Sequence, residues 1–250
     1  MRYVERKYIT KYKYVLPIGD LHIGDKAVDY GLLERNIQWA NDNDALIIGV
    51  GDWLNVALRN SVSSPFQQNL TLEEQIEKCV ELFEPVKHNI VGAIQGNHEA
   101  RSERDGNIDP LAVVCMRLGC EYLKYSGVIS IITGSRKKSF AYTFYVHHTT
   151  GGGGTVGGKI NRVDRLRKIV SNADCYLGGH NHSLGAMPVT TRCIDVIHKN
   201  IIEKRQFLVD CGSYVKYDDN YSEQMGLEPV KLGSPRIGLN GSRKDIHVSV

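Results

Sequence analysis

Apolar residues in this chain gather in short blocks, and each of the first three blocks closes on a small polar cluster. "YKYVLPIGD" (12–20), "ALIIGVGD" (45–52) and "IVGAIQGNHE" (90–99) are runs of strand length that end in Gly-Asp or Gly-Asn-His-Glu. Runs this continuous fit strands buried on both faces. Between them the spacing turns helical. Leu32, Leu33, Ile37 and Trp39–Ala40 predict a helix within 29–44. Thr71 with Glu74 three residues on makes a capping box that opens a second, over 71–89. Pro110 and Gly119 punctuate a third, over 108–119.

Past residue 120 the pattern changes. "GVISIITGSRKKSFAYTFYVHH" (127–148) predicts a hairpin turning around Gly134–Lys138. A basic helix at about 157–171 and a strand over 173–179 follow, then two strands within 187–214 joined near Lys199–Asn200. The tail from Lys216 is poor in apolar residues until a final strand, 245–250. Alternating β and α units followed by mostly β structure predict an α/β fold. The expectation is a four-layer α-β-β-α sandwich, two mixed β-sheets flanked by helices, in a single domain over 1–250.

Composition narrows the class. Hydrophobic residues make up 42% and charged residues 24%, which supports a folded core. No apolar stretch approaches the roughly 20 residues of a membrane span, so no membrane partner is expected. "MRYVERKYITKYKY" is basic without an apolar run, unlike a secretory signal, and a cytoplasmic setting is expected. The six cysteines form no C-x-x-C pair and read as reduced thiols. A net charge of +3 tolerates a phosphate-bearing partner without demanding one. Oligomeric state has no sequence signal.

The polar tips carry the chemistry. Asp20 and His22, Asp52, Asn97 with His98 and Glu99, His147 and His148, and His180 and His182 all stand at ends of predicted strands. In open α/β sheets such ends converge. Imidazoles and carboxylates crowded together call for a cation to balance them. Mixed N and O donors suit Mn²⁺, Fe or Zn²⁺ better than Ca²⁺ or Mg²⁺. Seven or eight donors exceed one tetrahedral ion and fit two divalent metal ions sharing a carboxylate. A single-metal structural site is the plainer alternative.

In order and type these motifs, "GDLHIG", "GDW", "GNHE", "HH" and "GHNH", resemble those of the calcineurin-like metallophosphoesterase superfamily. The resemblance implies a dinuclear phosphoesterase that attacks its substrate with a metal-generated hydroxide, Mn²⁺ being the first choice of metal. It places Asp20, His22, Asp52 and His182 on one metal and Asp52, Asn97, His148 and His180 on the other, with Asp52 bridging. His98 then faces the scissile phosphate, and Glu99 orients His98 or is an ordinary loop charge. The fourth motif departs from the usual His-Gly, so His147 or His148 is the ligand, His148 being favoured. No Asp-Arg-Gly follows "GDWLNVALRN", which removes the protein-phosphatase signature; Asn55 stands where another polar group would.

Several flanking groups bear on the substrate. Arg101 has the fork to grip a phosphate or to make a surface ion pair. Glycines 151–154 precede a helix bearing Lys159 and Arg162, an arrangement that forms an anion nest and steers a polyanion, or is merely a solvated basic face. Trp53 is a core residue or a wall of the cleft. The basic balance and the likeness to phage-type and DNA-repair phosphoesterases favour a phosphodiesterase or nuclease acting on DNA or RNA. A phosphomonoesterase and a non-catalytic binding module of the same fold are the alternatives.

Overall fold

The computed structural model describes residues 1–58, 66, 68–151, 155–218 and 221–250. Among them, twelve strands form two six-stranded mixed sheets. The first sheet has the order β1 (Arg2–Ile9), β6 (Ser126–Gly134), β7 (Ser139–His147), β8 (Cys175–Gly178), β10 (Asn200–Cys211), β9 (Leu184–Asp195). The second runs β12 (Ile246–Ser249), β11 (Arg236–Asn240), β2 (Tyr12–Ile18), β3 (Leu46–Gly49), β4 (Ile90–Ile94), β5 (Glu121–Lys124). Strands β2 to β5 are parallel to one another, as are β7, β8 and β10.

Alternation along the strands explains why the sheets stack. Val15, Leu46, Ile48 and Val91 point inward and meet Ile129, Phe144, Val146 and Leu177 of the other sheet. Their neighbours Leu16, Ile18, Ile47 and Ala93 point outward, against α1 (Tyr30–Asp42), α2 (Leu72–Phe83) and α4 (Pro110–Leu118). On the far side Tyr145, Tyr176 and Leu208 pack on Val163 of α5 (Val156–Arg165). Those are the four layers the pattern predicts. Trp53 belongs to this core: it is fully buried, stacks on Phe83 with ring centroids 4.5 Å apart, and donates its indole N–H to the Ile18 carbonyl.

The helix signals hold at the level of single hydrogen bonds. Thr71 Oγ accepts from the Glu74 N–H while Glu74 accepts from the Thr71 N–H, completing the capping box. Asp29 and Asp109 cap α1 and α4, and Gly119 ends α4 at φ 69°. The second helix is shorter than 71–89 because Pro85 breaks the α pattern and a 3₁₀ turn takes over at Glu84–Asn89. The basic helix likewise ends at Arg165, with 3₁₀ turn Leu166–Lys168 after it. Three elements lacked a sequence signal. Strands β5 and β11 are short, and α3 (Asn97–Gly106) has almost no apolar residue to set a period. All six cysteines are free.

Candidate metal centre

Five strands deliver their C-terminal ends to one rim between the sheets. Asp20 and His22 follow β2, Asp52 follows β3, Asn97 and His98 follow β4, His148 follows β7, and His180 and His182 follow β8. The loops after β2 and β3 are zipped together by backbone bonds from Asp20 N to Gly51 O, from Leu21 N and His22 N to Asp52 O, and from Ile23 N to Trp53 O. Asp20, His22, Asp52, His180 and His182 all adopt positive φ, between 49° and 75°. Asp and His tolerate this region better than most side chains, yet five together are strain concentrated at one place. Glycine is obligatory beside them. A Cβ on Gly96 would lie 2.1 Å from Asp52 Oδ1, and one on Gly179 would lie 2.8 Å from His148 Nδ1.

Two donor groups result, with a third, His22, Asp52 and His98, between them. In the first, Nε2 of His22 and Nε2 of His182 are 3.0 Å apart, and Asp20 Oδ1 is 3.9 Å from the one and 3.5 Å from the other. In the second, His148 Nε2 lies 3.0 Å from Asp52 Oδ2 and 3.1 Å from Asn97 Oδ1, while His180 Nδ1 is 2.7 Å from the same Asn97 oxygen. Asp52 Oδ2 also stands 4.0 Å from His22 Nε2 and 3.8 Å from His98 Nε2, so it lies between the groups. These clusters of buried Asp and His are able to hold metal ions.

Electrostatics agrees with that use. Burial pushes His22 well below its ordinary value and holds His182 near 4, so both present neutral nitrogens. Burial pushes Asp20 up. It would push Asp52 up too, but His148, His98 and His22 hold Asp52 well down. His148 answers in kind: burial would lower it, and Asp52 lifts it to about 10. Without a metal, a proton on His148 neutralises Asp52. A cation bound here displaces it, as metal binding generally does. His148 Nδ1 donates to Val50 O at 2.8 Å, leaving Nε2 turned to the site. The donor types, their burial and the His148 tautomer set by Val50 O fit the binding of metal ions.

The other anticipated residues are placed as follows. His147 takes no part: its Nδ1 accepts from the Thr149 N–H at 2.8 Å, and His148 is the residue that enters the cluster. His98 Nδ1 donates to Asn55 O at 2.5 Å, so its Nε2 faces Asp52. Glu99 does not orient His98. Fully buried, it accepts instead from the backbone N–H groups of Asp52 (3.1 Å), Leu54 (3.0 Å) and Gly96 (2.9 Å), tying the β3 loop to the β4 loop. Arg101, one turn along α3 from Asn97, depresses His98 and His180 by its charge. Arg162 donates to Thr150 O and also depresses His180, and the Lys159 carbonyl accepts from Asn181. Both therefore border the second group. Residues 152–154, the centre of the expected anion nest, lie outside the described residues.

One contributor had no sequence signal. Asp210 of β10 is 1% exposed and accepts from Ser183 Oγ and Asn181 Nδ2, the residues that alternate with His180 and His182. It anchors the turn carrying both histidines from a distant strand, and only the alternation in "HNHS" hints that a second face needs a partner.

Comparison with known proteins adds the fold alone. No family profile and no curated protein matches the chain. Among solved structures, GAP50, the anchor in the inner membrane complex of Plasmodium, superposes with a TM-score of 0.51 at 10% identity, covering 96% of this chain and 84% of that one. It shares the fold. A conserved uncharacterized protein from Streptococcus pneumoniae TIGR4, titled a predicted phosphoesterase, aligns over 96% of this chain and 90% of its own at 11% identity. Its TM-score of 0.37 is too low to speak to fold or chemistry.

Proposed function

We propose that this chain is a dinuclear-metal phosphoesterase of the calcineurin-like kind, cleaving phosphodiester bonds in DNA or RNA. The observation that carries the reading is the position of Asp52 Oδ2, within 4.0 Å of imidazole nitrogens from both donor groups. One carboxylate oxygen so placed suits a bridge. Asp20, His22 and His182 would hold one ion, and Asn97, His148 and His180 the other. Bound, Mn²⁺, Fe or Zn²⁺ would supply Lewis acidity toward phosphate oxygens and a nucleophile at neutral pH.

The chain's own groups do the rest. His98 presents Nε2 at the rim with its ring fixed by Asn55 O. Burial and the charge of Arg101 hold it near 4 against the pull of Asp52, so it is neutral until an anionic phosphoester arrives and raises it. It then donates a proton to the leaving oxygen. Arg101 grips a phosphate oxygen, and Lys159 and Arg162 draw the polyanion across the mouth of the site. Glu99 keeps Asp52 in place through the backbone.

Turnover of bis-p-nitrophenyl phosphate, single-stranded and duplex DNA, RNA, cyclic nucleotides and phosphomonoesters with Mn²⁺ tests this. Diester cleavage, abolished by chelator, is the expected result. Cleavage of monoesters alone would make the protein a phosphomonoesterase, and turnover of nothing would make it a binding module.

A further inference from the structure

The β9–β10 hairpin carries apolar side chains that the fold leaves uncovered. Its strands pair from Leu184↔Cys211 out to Asp195↔Asn200, whereas β8 pairs only with Phe207–Asp210. Residues 192–195 and 200–203, with the turn at 196–199, therefore extend as a two-stranded ribbon. Ile194 faces Ile201 on one side of it, and Cys193 faces Ile202 on the other. Ile194 is 80% exposed, Val196 79% and Ile197 86%. Apolar surface so concentrated marks a contact site. A ribbon that carries an apolar pair on each face and Val196 and Ile197 at its tip suits a medium it enters, more than a flat partner on one side.

A basic collar surrounds the same end. Because β7, β8 and β10 are parallel, the turns that lead into them lie together, at the end opposite the metal centre. The turn before β7 exposes Arg136, Lys137 and Lys138, and the turn before β10 exposes Lys199. Arg167 reaches Thr191 of β9 at 3.4 Å, but its charge is paired with Asp164 at 2.6 Å. The acidic neighbours are already engaged: Asp195 with His198, Glu203 with Arg192, and Asp174 with Lys204 and Lys244. Positive charge is left over. No Phe, Tyr or Trp stands between 187 and 206, so the only aromatic ring the ribbon offers a nucleobase is the His198 imidazole, already engaged by Asp195.

We propose that this ribbon docks the protein on an anionic lipid surface. Ile194, Val196, Ile197 and Ile201 enter the boundary between headgroups and acyl chains, and the surrounding lysines and arginines meet lipid phosphates. The expectation of no membrane partner rested on the lack of a span. Among the described residues no helix is long and apolar enough to cross a membrane, and a peripheral contact needs none. Strand β9 covers twelve residues, about 37 Å of extended chain, so the metal centre stays clear of the bilayer.

Flotation of the full chain with phosphatidylcholine vesicles, with and without phosphatidylserine, tests the proposal. Binding to the anionic vesicles, released by salt, is expected. Val196→Asp with Ile197→Asp lowers it by at least about tenfold through lost apolar burial. Lys137→Glu with Lys138→Glu lowers it about fivefold or more per charge. Both variants keep bis-p-nitrophenyl phosphate turnover, since neither pair lies in the metal centre. Absence of binding to either vesicle, or binding unchanged in both variants, overturns the proposal. So does self-association in solution that V196D/I197D abolishes without any vesicle binding, which would assign the ribbon to a second copy of this chain.

Discussion

The Nε2 atoms of His22 and His182 stand 3.0 Å apart, the distance of a hydrogen bond in which one ring donates and the other accepts. Burial and the neighbouring His98 hold both rings toward the neutral form, so each can turn a lone pair to the same point once its proton sits on Nδ1. A cation beside Asp20 would take both lone pairs.

The first prediction is metal stoichiometry. The chain should take up two Mn²⁺, read by elemental analysis after gel filtration. His182→Ala should take up one, and Asp52→Asn should weaken both. Metal at about a hundred times its dissociation constant should stabilise the fold by about 2.7 kcal/mol, lost on chelation. Equal metal content in wild type and His182→Ala would remove the first group from the account.

His98 separates chemistry from metal binding. The proposed liganding sets leave it out although its Nε2 lies 3.8 Å from Asp52 Oδ2, and its ring is held by the Asn55 carbonyl. His98→Ala should retain both ions while diester turnover falls by about 10²–10⁴-fold, the usual worth of a proton donor. A variant that loses metal and activity together would instead make His98 a ligand.

How much of this was legible beforehand follows from where the information lies. The candidate ligands were readable because each follows an apolar run, and strand ends in a parallel sheet share a rim. Alternation at the end of β7 turns His148 toward Asp52 and Asn97 and leaves His147 beside the Thr149 N–H. The partners of Glu99 were not legible, because they are backbone N–H groups of residues 52 and 54, and backbone donors leave no mark in a sequence. Helix α3 was missed for a related reason. Its start is held by the Glu99 carboxylate on the Gly96 N–H, not by an apolar face. Asp210 was invisible because its partners, Asn181 and Ser183, sit in the distant turn between β8 and β9.

Glu99 yields a stability test that also reads the site. Its carboxylate satisfies three buried N–H groups. Glu99→Ala strands them, at about 1–3 kcal/mol for each group left unpaired, and should unfold at lower urea. Glu99→Gln keeps an acceptor oxygen and should lose less stability. By loosening the loop under Asp52 it should still weaken metal affinity by roughly 10–100-fold, the usual effect of outer-shell partners. Unchanged metal affinity in Glu99→Gln would confine the residue to folding.

Asp210 supplies the pH dependence. Burial pushes its carboxyl up to about 7 from an ordinary 3.8, against the pull of Ser183, Asn181, Lys159 and His148, and its Oδ1 has no partner among the described residues. The unfolded chain sheds this proton near 3.8, whereas the folded chain keeps it until about 7. Between those values the folded state binds more protons, so this residue costs stability progressively as pH rises and costs no more above the window. Asp210→Asn cannot ionise and offers an amide N–H toward the space beside Oδ1, so it escapes that loss. In urea unfolding of the chelated proteins, the stability of Asp210→Asn relative to wild type should climb from about pH 4 to about pH 7 and then level off. A difference that stays flat across that window would mean the carboxylate is ionised in the folded protein, held by a cation or a donor at Oδ1.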